Sequence, residues 1–461
     1  MIKQYLNKNF SATTRISAPR KVAFDLLRAV LVKKMRLSDA LINHSGNAKL
    51  SDRDRNFARS LVANSLRRLG HIDQVINSCL KRPLPRQASI VRDVLRIAAT
   101  ELLILNIPPY ATIHSAVNLV RSQGEDQFTT LTNAVLRRID REARGVINTL
   151  PAFQALPKWL TKILRQTYGE DIAMAMVMAM QQESIMLDIT VKTNPAYWAK
   201  TLGAKILPTG TLRRKIDSRI DALLGFNEGA WWVQNTAAAI PVQLLGDVRG
   251  KTVIDLCAAP GGKTAQLAAR LANVIAVDQL PKRVKQINNN LDRLQLAAKC
   301  IIADATKWRP QFQIDALLLD APCSATGLIQ RHPDIPWLKS QGNISKMAII
   351  QDQLLNAAFS MVKPGGIIIF STCSLLREEG SERIEALFSR NPYITRKPIT
   401  SNEIGGLSEL INEDGDLLTR PDHLAHYGGI DGFYACRLIK NENCHSISRM
   451  TIKRQYFTSN R

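Results

Sequence analysis

At 461 residues the chain is too long for one compact core, and 45% hydrophobic with 22% charged residues excludes wholesale disorder. Sixty-two Lys and Arg stand against 39 Asp and Glu, and the formal charge of +23 points to a polyanionic partner, nucleic acid being the commonest. No apolar run approaches the roughly 20 residues of a bilayer span, Met1 to Phe10 lacks the apolar stretch of a signal peptide, and the 7 cysteines show no C-x-x-C spacing, so neither a disulfide framework nor a metal site is expected in what reads as a cytoplasmic protein.

Residues 20–145 predict helix after helix. Val22, Leu26 and Val30, then Phe57, Leu61, Ser65 and Leu69, recur at helical spacing, and 88–105 and 127–139 behave alike. Pro83, Pro85, Pro108 and Pro109 punctuate the helices. Arg55, Arg59, Arg67, Arg68, Arg137 and Arg138 interleave with the apolar stripes, and residues 1–150 hold 25 Lys and Arg against 11 Asp and Glu. An all-α bundle with a basic, RNA-facing surface is expected over 1–148.

Residues 149–245 predict a small α+β connector, with helical patterns at 157–166 and 171–182 and strand-like pieces at Leu187–Val191 and Trp231–Gln234. Trp231 and Trp232 read as a core or interface pair before a base-stacking platform. Over 246–440 the β-rich runs Thr252–Leu256, Val274–Asp278, Cys300–Ala303, Ala316–Asp320 and Gly366–Ser371 alternate with helical stretches such as Thr264–Leu271 and Pro281–Leu294. Such alternation builds a doubly wound, Rossmann-like α/β sheet with ligands at the carboxyl ends of its strands. The polar and basic stretch 441–461 is expected to be a mobile tail. The fold expected is thus multidomain: α-bundle, α+β connector and α/β doubly wound catalytic domain.

The first of these strands runs into Cys257, Ala258, Ala259, Pro260, Gly261, Gly262 and Lys263, a turn where backbone comes close to a ligand and helix N–H groups face it. Its spacing fits neither a P-loop nor a G-x-G-x-x-G loop. The second strand ends in Asp278, an acceptor for ribose hydroxyls; Asp304 follows the third; the fourth ends in Asp320. Singly, each acid reads as the cap of the next turn. Together, at successive strand ends, they point to a bound cofactor.

Two cysteines reach the same edge, Cys323 in Pro322-Cys323-Ser324 and Cys373 in Thr372-Cys373-Ser374. Alone, each reads as a small buried hydrophobe. A thiolate is favoured near a cation, and Lys263 is the candidate neighbour. Cytosine chemistry gives two thiols a use: carbon 5 attacks a sulfonium methyl only after a thiolate adds to carbon 6. A carboxyl group near N3 then stabilises the developing charge, and a second group handles the carbon-5 proton. Spacing alone leaves open which cysteine attacks.

The segments Asp255 to Thr264, Asp320 to Gly327, Arg331-His332-Pro333-Asp334-Ile335 and Ser371 to Ser374 resemble the RNA 5-methylcytosine methyltransferase family, in the family's order, and the front end resembles the NusB fold. The resemblance extends to Asp431-Gly432-Phe433-Tyr434, nearly the whole chain. It implies S-adenosylmethionine as cofactor, held by Cys257 to Lys263, with Asp278 on the ribose, Asp304 on the adenine side and Asp320 between cofactor and cytosine. It makes Cys373 the nucleophile and Cys323 the group assisting release, whereas in DNA cytosine methyltransferases the Pro-Cys cysteine attacks. The partner implied is RNA, 16S ribosomal RNA or a small-subunit assembly intermediate, bound by a monomer. His332 and Asp334 are expected to shape a loop over the site. Two departures stand out: Gln234-Asn235 replaces the family's Gln-Asp, and the extension beyond Lys440 has no assigned role. A non-catalytic RNA binder, or a methyltransferase of tRNA or DNA cytosine, are the alternatives.

Overall fold

The computed structural model describes residues 18–182, 186–216 and 218–442, so the expected tail lies outside it apart from Asn441 and Glu442. The chain divides into two units, Met1–Lys162 with His332–Leu338, and Ile163–Arg331 with Lys339–Arg461. No helix among the described residues is long and apolar enough to cross a membrane.

The first unit is all-α, its longer helices being Ala18–Leu31, Asp52–Arg67, Leu69–Cys79, Ser89–Leu103, Pro109–Ser122 and Thr129–Glu142. Ser51 starts the second of these, its hydroxyl accepting the Asp54 N–H at 3.1 Å, with Asp52 and Asp54 in the positive first turn. Pro109 occupies the first turn of its helix, where a missing N–H costs nothing. The Val22, Leu26 and Val30 stripe packs against Leu61, Val62 and Leu66. One expectation fails here. Arg67 is only 6% exposed, and its Nη1 donates to Asn64 Oδ1 at 2.8 Å. The last turn of that helix is buried all round, from Asn64 to Arg67, so this arginine lies inside and not on the basic surface. Arg59 and Arg137 do face solvent.

A short segment distant in sequence completes this unit. Asp334 Oδ2 accepts the Leu37 N–H at 3.0 Å, satisfying an orphan donor at the start of helix Leu37–Asn43. Trp337 Nε1 donates to the Leu66 carbonyl at 2.9 Å, and its carbonyl accepts Lys34 Nζ at 3.0 Å. His332–Leu338 folds with the helical unit, and the Asp334 carboxylate is engaged at a helix end there.

The second unit holds two sheets. The smaller is antiparallel, in the order β2 (Lys205–Ile206), β3 (Leu212–Lys215), β1 (Met186–Val191), β4 (Trp231–Val233). Trp231 is wholly buried and Trp232 4% exposed, which makes them core residues as expected. Asp188 on β1 accepts from Arg213 Nε and Nη2, at 2.6 and 2.8 Å, and from the Thr236 N–H and hydroxyl. A buried ion pair is tolerated only with such further hydrogen bonds.

The larger sheet runs β10 (Ile394–Arg396), β12 (Phe433–Lys440), β9 (Val362–Thr372), β8 (Ile314–Asp320), β5 (Thr252–Leu256), β6 (Asn273–Asp278), β7 (Lys299–Ile302), with β11 (Leu417–Thr419) on β12. Strands β9 to β7 are parallel, and β12 joins β9 antiparallel. Val253, Leu318 and Ile369 face one core; Ile254, Leu317, Leu319, Ile368 and Phe370 face the other. Burial on both faces explains why these strands read as continuous apolar runs. The order reverses between β5 and β8, the switch point where such sheets bind ligands.

Candidate active site

The carboxyl ends of β5, β6, β8 and β9 carry the expected residues. After β5 the chain turns sharply. Cys257 takes φ +60° and Gly261 φ +100°, and the helix Gly262–Ala269 follows. A Cβ on Gly261 would lie 3.2 Å from Ile287 Cγ2 in a backbone conformation that L side chains avoid, so glycine is required. Burial and the nearby Asp278 push the Cys257 thiol up to about 12, so its part in the loop is that of a neutral side chain. Asp278, 2% exposed, accepts the Ala259 N–H and the Leu280 N–H at 3.3 Å each, and Arg283 Nη1 lies 3.5 Å away. One carboxylate thus ties the loop after β5 to the end of β6.

Under the loop, Asp255 is completely buried. Its Oδ2 accepts Thr264 Oγ1 at 2.6 Å, whereas Oδ1 has no partner. Burial raises this carboxyl to about 7. Asp304 follows β7 and Ala303, whose N–H donates to the Asp278 carbonyl at 3.1 Å. The Asp304 side chain is 46% exposed and accepts Thr306 N and Oγ1 at 3.0 and 2.7 Å, and these bonds hold the carboxyl below its usual range. In this structure it caps its own turn.

Lys263 Nζ donates to Asp320 Oδ2 at 2.7 Å and lies 5.0 Å from the centre of the Phe433 ring. Its hydrogen bond thus goes to Asp320. Ser371 Oγ donates to the other Asp320 oxygen at 3.1 Å. Beside this pair, Cys323 Sγ and Cys373 Sγ stand 3.4 Å apart. The Cys323 thiol is pushed well above its usual range, first by its hydrogen bond to Cys373 and then by burial.

Three supporting residues escaped the sequence reading. Glu379 accepts hydrogen bonds from both serines that follow the cysteines. Gln351 Nε2 donates to the Pro322 carbonyl at 2.8 Å, and Arg283 Nη2 to the Ala259 carbonyl at 3.0 Å. Their only sequence signal is polarity inside otherwise amphipathic helices and turns, which many surface residues share. Gln234, from the connector, reaches Gln266 Oε1 at 3.0 Å and packs near Gly262. Asn235, the departure from the family pattern, accepts the Ala237 N–H at 2.9 Å and so caps the next helix.

Comparison with known proteins decides the family. A profile described as 16S rRNA methyltransferase RsmB/F matches residues 242–439, and one for the NusB family matches 17–141. Ribosomal RNA small subunit methyltransferase B of Cronobacter sakazakii is 31% identical over 443 residues, 91% of this chain and 98% of that one. The chain belongs to the ribosomal RNA small subunit methyltransferase B family. A second member, from Salmonella arizonae, is 33% identical over 85% of this chain and 92% of its own length. As in the family, a NusB-like helical front end precedes a methyltransferase sheet. Among solved structures, that of PH0851 shares the fold over 92% of this chain and 99% of its own, with a TM-score of 0.72 at 22% identity. A methyltransferase homolog from Pyrococcus horikoshii covers 62% of this chain and 95% of its own, with a TM-score of 0.51 at 23% identity.

Proposed function

We propose that this methyltransferase modifies carbon 5 of a cytosine in 16S ribosomal RNA, with S-adenosylmethionine as methyl donor. The observation that carries the reading is the pair of sulfurs 3.4 Å apart at the ends of β8 and β9, next to Asp320. One thiol alone suffices for attack; two side by side suit a reaction that must both add and eliminate sulfur.

The donor set fits the cofactor. Gly261 leaves room for close backbone approach, and Asp278 offers a buried carboxylate at a strand end, the usual partner of ribose hydroxyls. Cys257 to Lys263 and Asp278 would hold it, with Asp304 on the adenine side, and bound there it supplies an electrophilic methyl group. This chain's residues do the rest. Cys373 Sγ forms a bond to cytosine C6, which makes C5 nucleophilic. Asp320, fixed by Lys263 and Ser371, stabilises the negative charge that develops on the ring by sharing a proton with N3. Once C5 carries the methyl group, its proton must leave and the S–C6 bond must break. Cys323, beside the nucleophile, assists that release: as a thiolate it takes the C5 proton, and the electron pair of the C5–H bond re-forms the C5–C6 double bond and expels Cys373 as a thiolate.

The target base must be unpaired to reach this edge. The basic front end, with Arg59 and Arg137 exposed, supplies the grip on phosphates. Bisulfite sequencing of 16S ribosomal RNA from cells with and without the protein tests the proposal: one protected cytosine, lost with the protein, is expected. Unchanged protection at every 16S cytosine would refute it.

A further inference from the structure

The two cysteine loops are joined by a carboxylate to which the proposed chemistry assigns no step. Glu379 lies on the single turn Arg377–Glu379 that follows β9, and it is wholly buried. Its Oε1 accepts the Ser324 N–H at 2.8 Å. Its Oε2 accepts the hydroxyls of Ser324 and Ser374, the latter at 2.6 Å. Its own carbonyl accepts Thr372 Oγ1 at 3.1 Å. Ser324 directly follows Cys323, Ser374 directly follows Cys373, and Thr372 directly precedes it.

No basic side chain hydrogen-bonds this carboxylate among the described residues, and burial pushes its carboxyl up. Lys339 acts on it only through the longer-range field, a buried carboxylate with no cation hydrogen-bonded to it is costly, and packing alone is served as well by an apolar side chain. What the carboxylate does that an apolar group cannot is bind both loops at once. Thr326 makes weaker side-chain bonds to Ser324 and Ser374, at 3.5 and 3.3 Å, and its hydroxyl accepts the Leu375 N–H at 2.9 Å, one contact against the three that Glu379 makes at its carboxylate. The backbone assists: the Gly327 N–H donates to the Cys373 carbonyl at 3.0 Å, and a Cβ on Gly327 would meet the Gly432 oxygen at 1.9 Å.

We propose that Glu379 is a positioning residue for methyl transfer, a single carboxylate that pins both cysteine loops and fixes the spacing of Cys323 and Cys373. The inference rests on the reading that these two thiols perform the covalent chemistry. It adds that their relative placement is set from behind, by a group touching neither substrate nor cofactor. A misplacement of about 1 Å between reacting groups costs roughly a hundredfold in rate.

The test uses the full chain, its RNA substrate and the variants Glu379→Ala and Glu379→Gln. Four quantities are measured: thermal midpoint, S-adenosylmethionine affinity, single-turnover rate against KM for RNA, and the rate at which diamide joins Cys323 to Cys373. In that last step two S–H bonds are lost and one S–S bond forms. Two electrons and two protons pass to the diazene, which becomes a hydrazine. Glu379→Ala should lower the single-turnover rate by roughly a hundredfold, with cofactor affinity and KM little changed, and should slow disulfide formation. Glu379→Gln keeps an acceptor for the Ser324 N–H and a donor for a serine oxygen, so it should recover most of both rates. If Glu379→Ala does not fold, Ser374→Ala removes one arm only and should move both rates in the same direction.

Wild-type values for transfer and disulfide formation in Glu379→Ala overturn the proposal. So does a lost transfer rate with the disulfide rate unchanged. The parallel variant Cys373→Ala separates the two ideas. If it retains activity, the covalent reading itself fails. If it is inert while Glu379→Ala is fully active, only the positioning role fails.

Discussion

Cys323 and Cys373 are fifty residues apart in sequence, and their sulfurs are 3.4 Å apart in space. The parallel pairing of β8 with β9, in the register Asp320 to Ser371, brings them there. If the roles are divided as proposed, Cys373→Ala abolishes methylation and forms no covalent adduct with RNA. Cys323→Ala adds, methylates once and stalls as a protein–RNA adduct that survives denaturing electrophoresis. The reverse pattern on the gel assigns the roles the other way.

Asp278 should act on the cofactor and not on the fold of the sheet. Its carboxylate accepts two loop N–H groups from a buried strand end, where two ribose hydroxyls could compete for it. Asp278→Ala is expected to weaken S-adenosylmethionine binding by about 1.5–3 kcal/mol per missing charge-assisted hydrogen bond. Calorimetric titration checks this, and unchanged affinity removes the residue from the site.

The arginines of the helical unit divide by burial. Arg59→Glu and Arg137→Glu, both at exposed positions, should weaken RNA binding and lower the slope of log affinity against log salt by about one for each phosphate no longer neutralised. Arg67→Ala should leave the slope alone and lower the thermal midpoint, because its guanidinium is bonded inside the bundle. Equal slopes in all three variants would place the RNA-binding surface elsewhere.

Asp255 predicts a pH dependence of stability. Burial raises its carboxyl from 3.8 in the unfolded chain to about 7 in the folded one. Between these values the unfolded chain releases a proton that the folded chain keeps, so stability falls as pH rises through this window. Its contribution is complete below pH 3.8 and lost above about pH 7. The linked change is at most about 4 kcal/mol. Asp255→Asn, which keeps an acceptor for the Thr264 hydroxyl, should flatten this fall, as measured by denaturant unfolding at pH 5 and 8. Parallel curves for the two proteins would rule the linkage out.

Much of this architecture is legible in the sequence because its signals are local. Pro281–Leu294 reads to its true ends from a proline at the first turn and a period near 3.6. The parallel strands declare themselves as apolar runs, since both faces are buried. The antiparallel strand Phe433–Lys440 does not. It carries Arg437 and Lys440, whose charges are met by Glu403 and by the Phe359 and Val362 carbonyls, partners supplied by distant chain. Arg67 misleads for the same reason: a charged side chain looks solvated until its tertiary partner is known. Glu379 sits among Glu378 and Glu382, and nothing in that acidic stretch marks which carboxylate turns inward.

The helical unit is closed by His332–Leu338, and this sets an order of assembly during synthesis. The first stretch of that unit ends at Lys162, so about 170 residues must be made before its last piece exists. At about 5–20 residues per second this takes roughly ten to thirty seconds. Through that interval the Leu37 N–H and the Leu66 carbonyl lack the partners that Asp334 and Trp337 later bring. The nascent bundle is therefore one element short while β5 to β8 are being made, and a nascent-chain protease should find it more open than the finished protein.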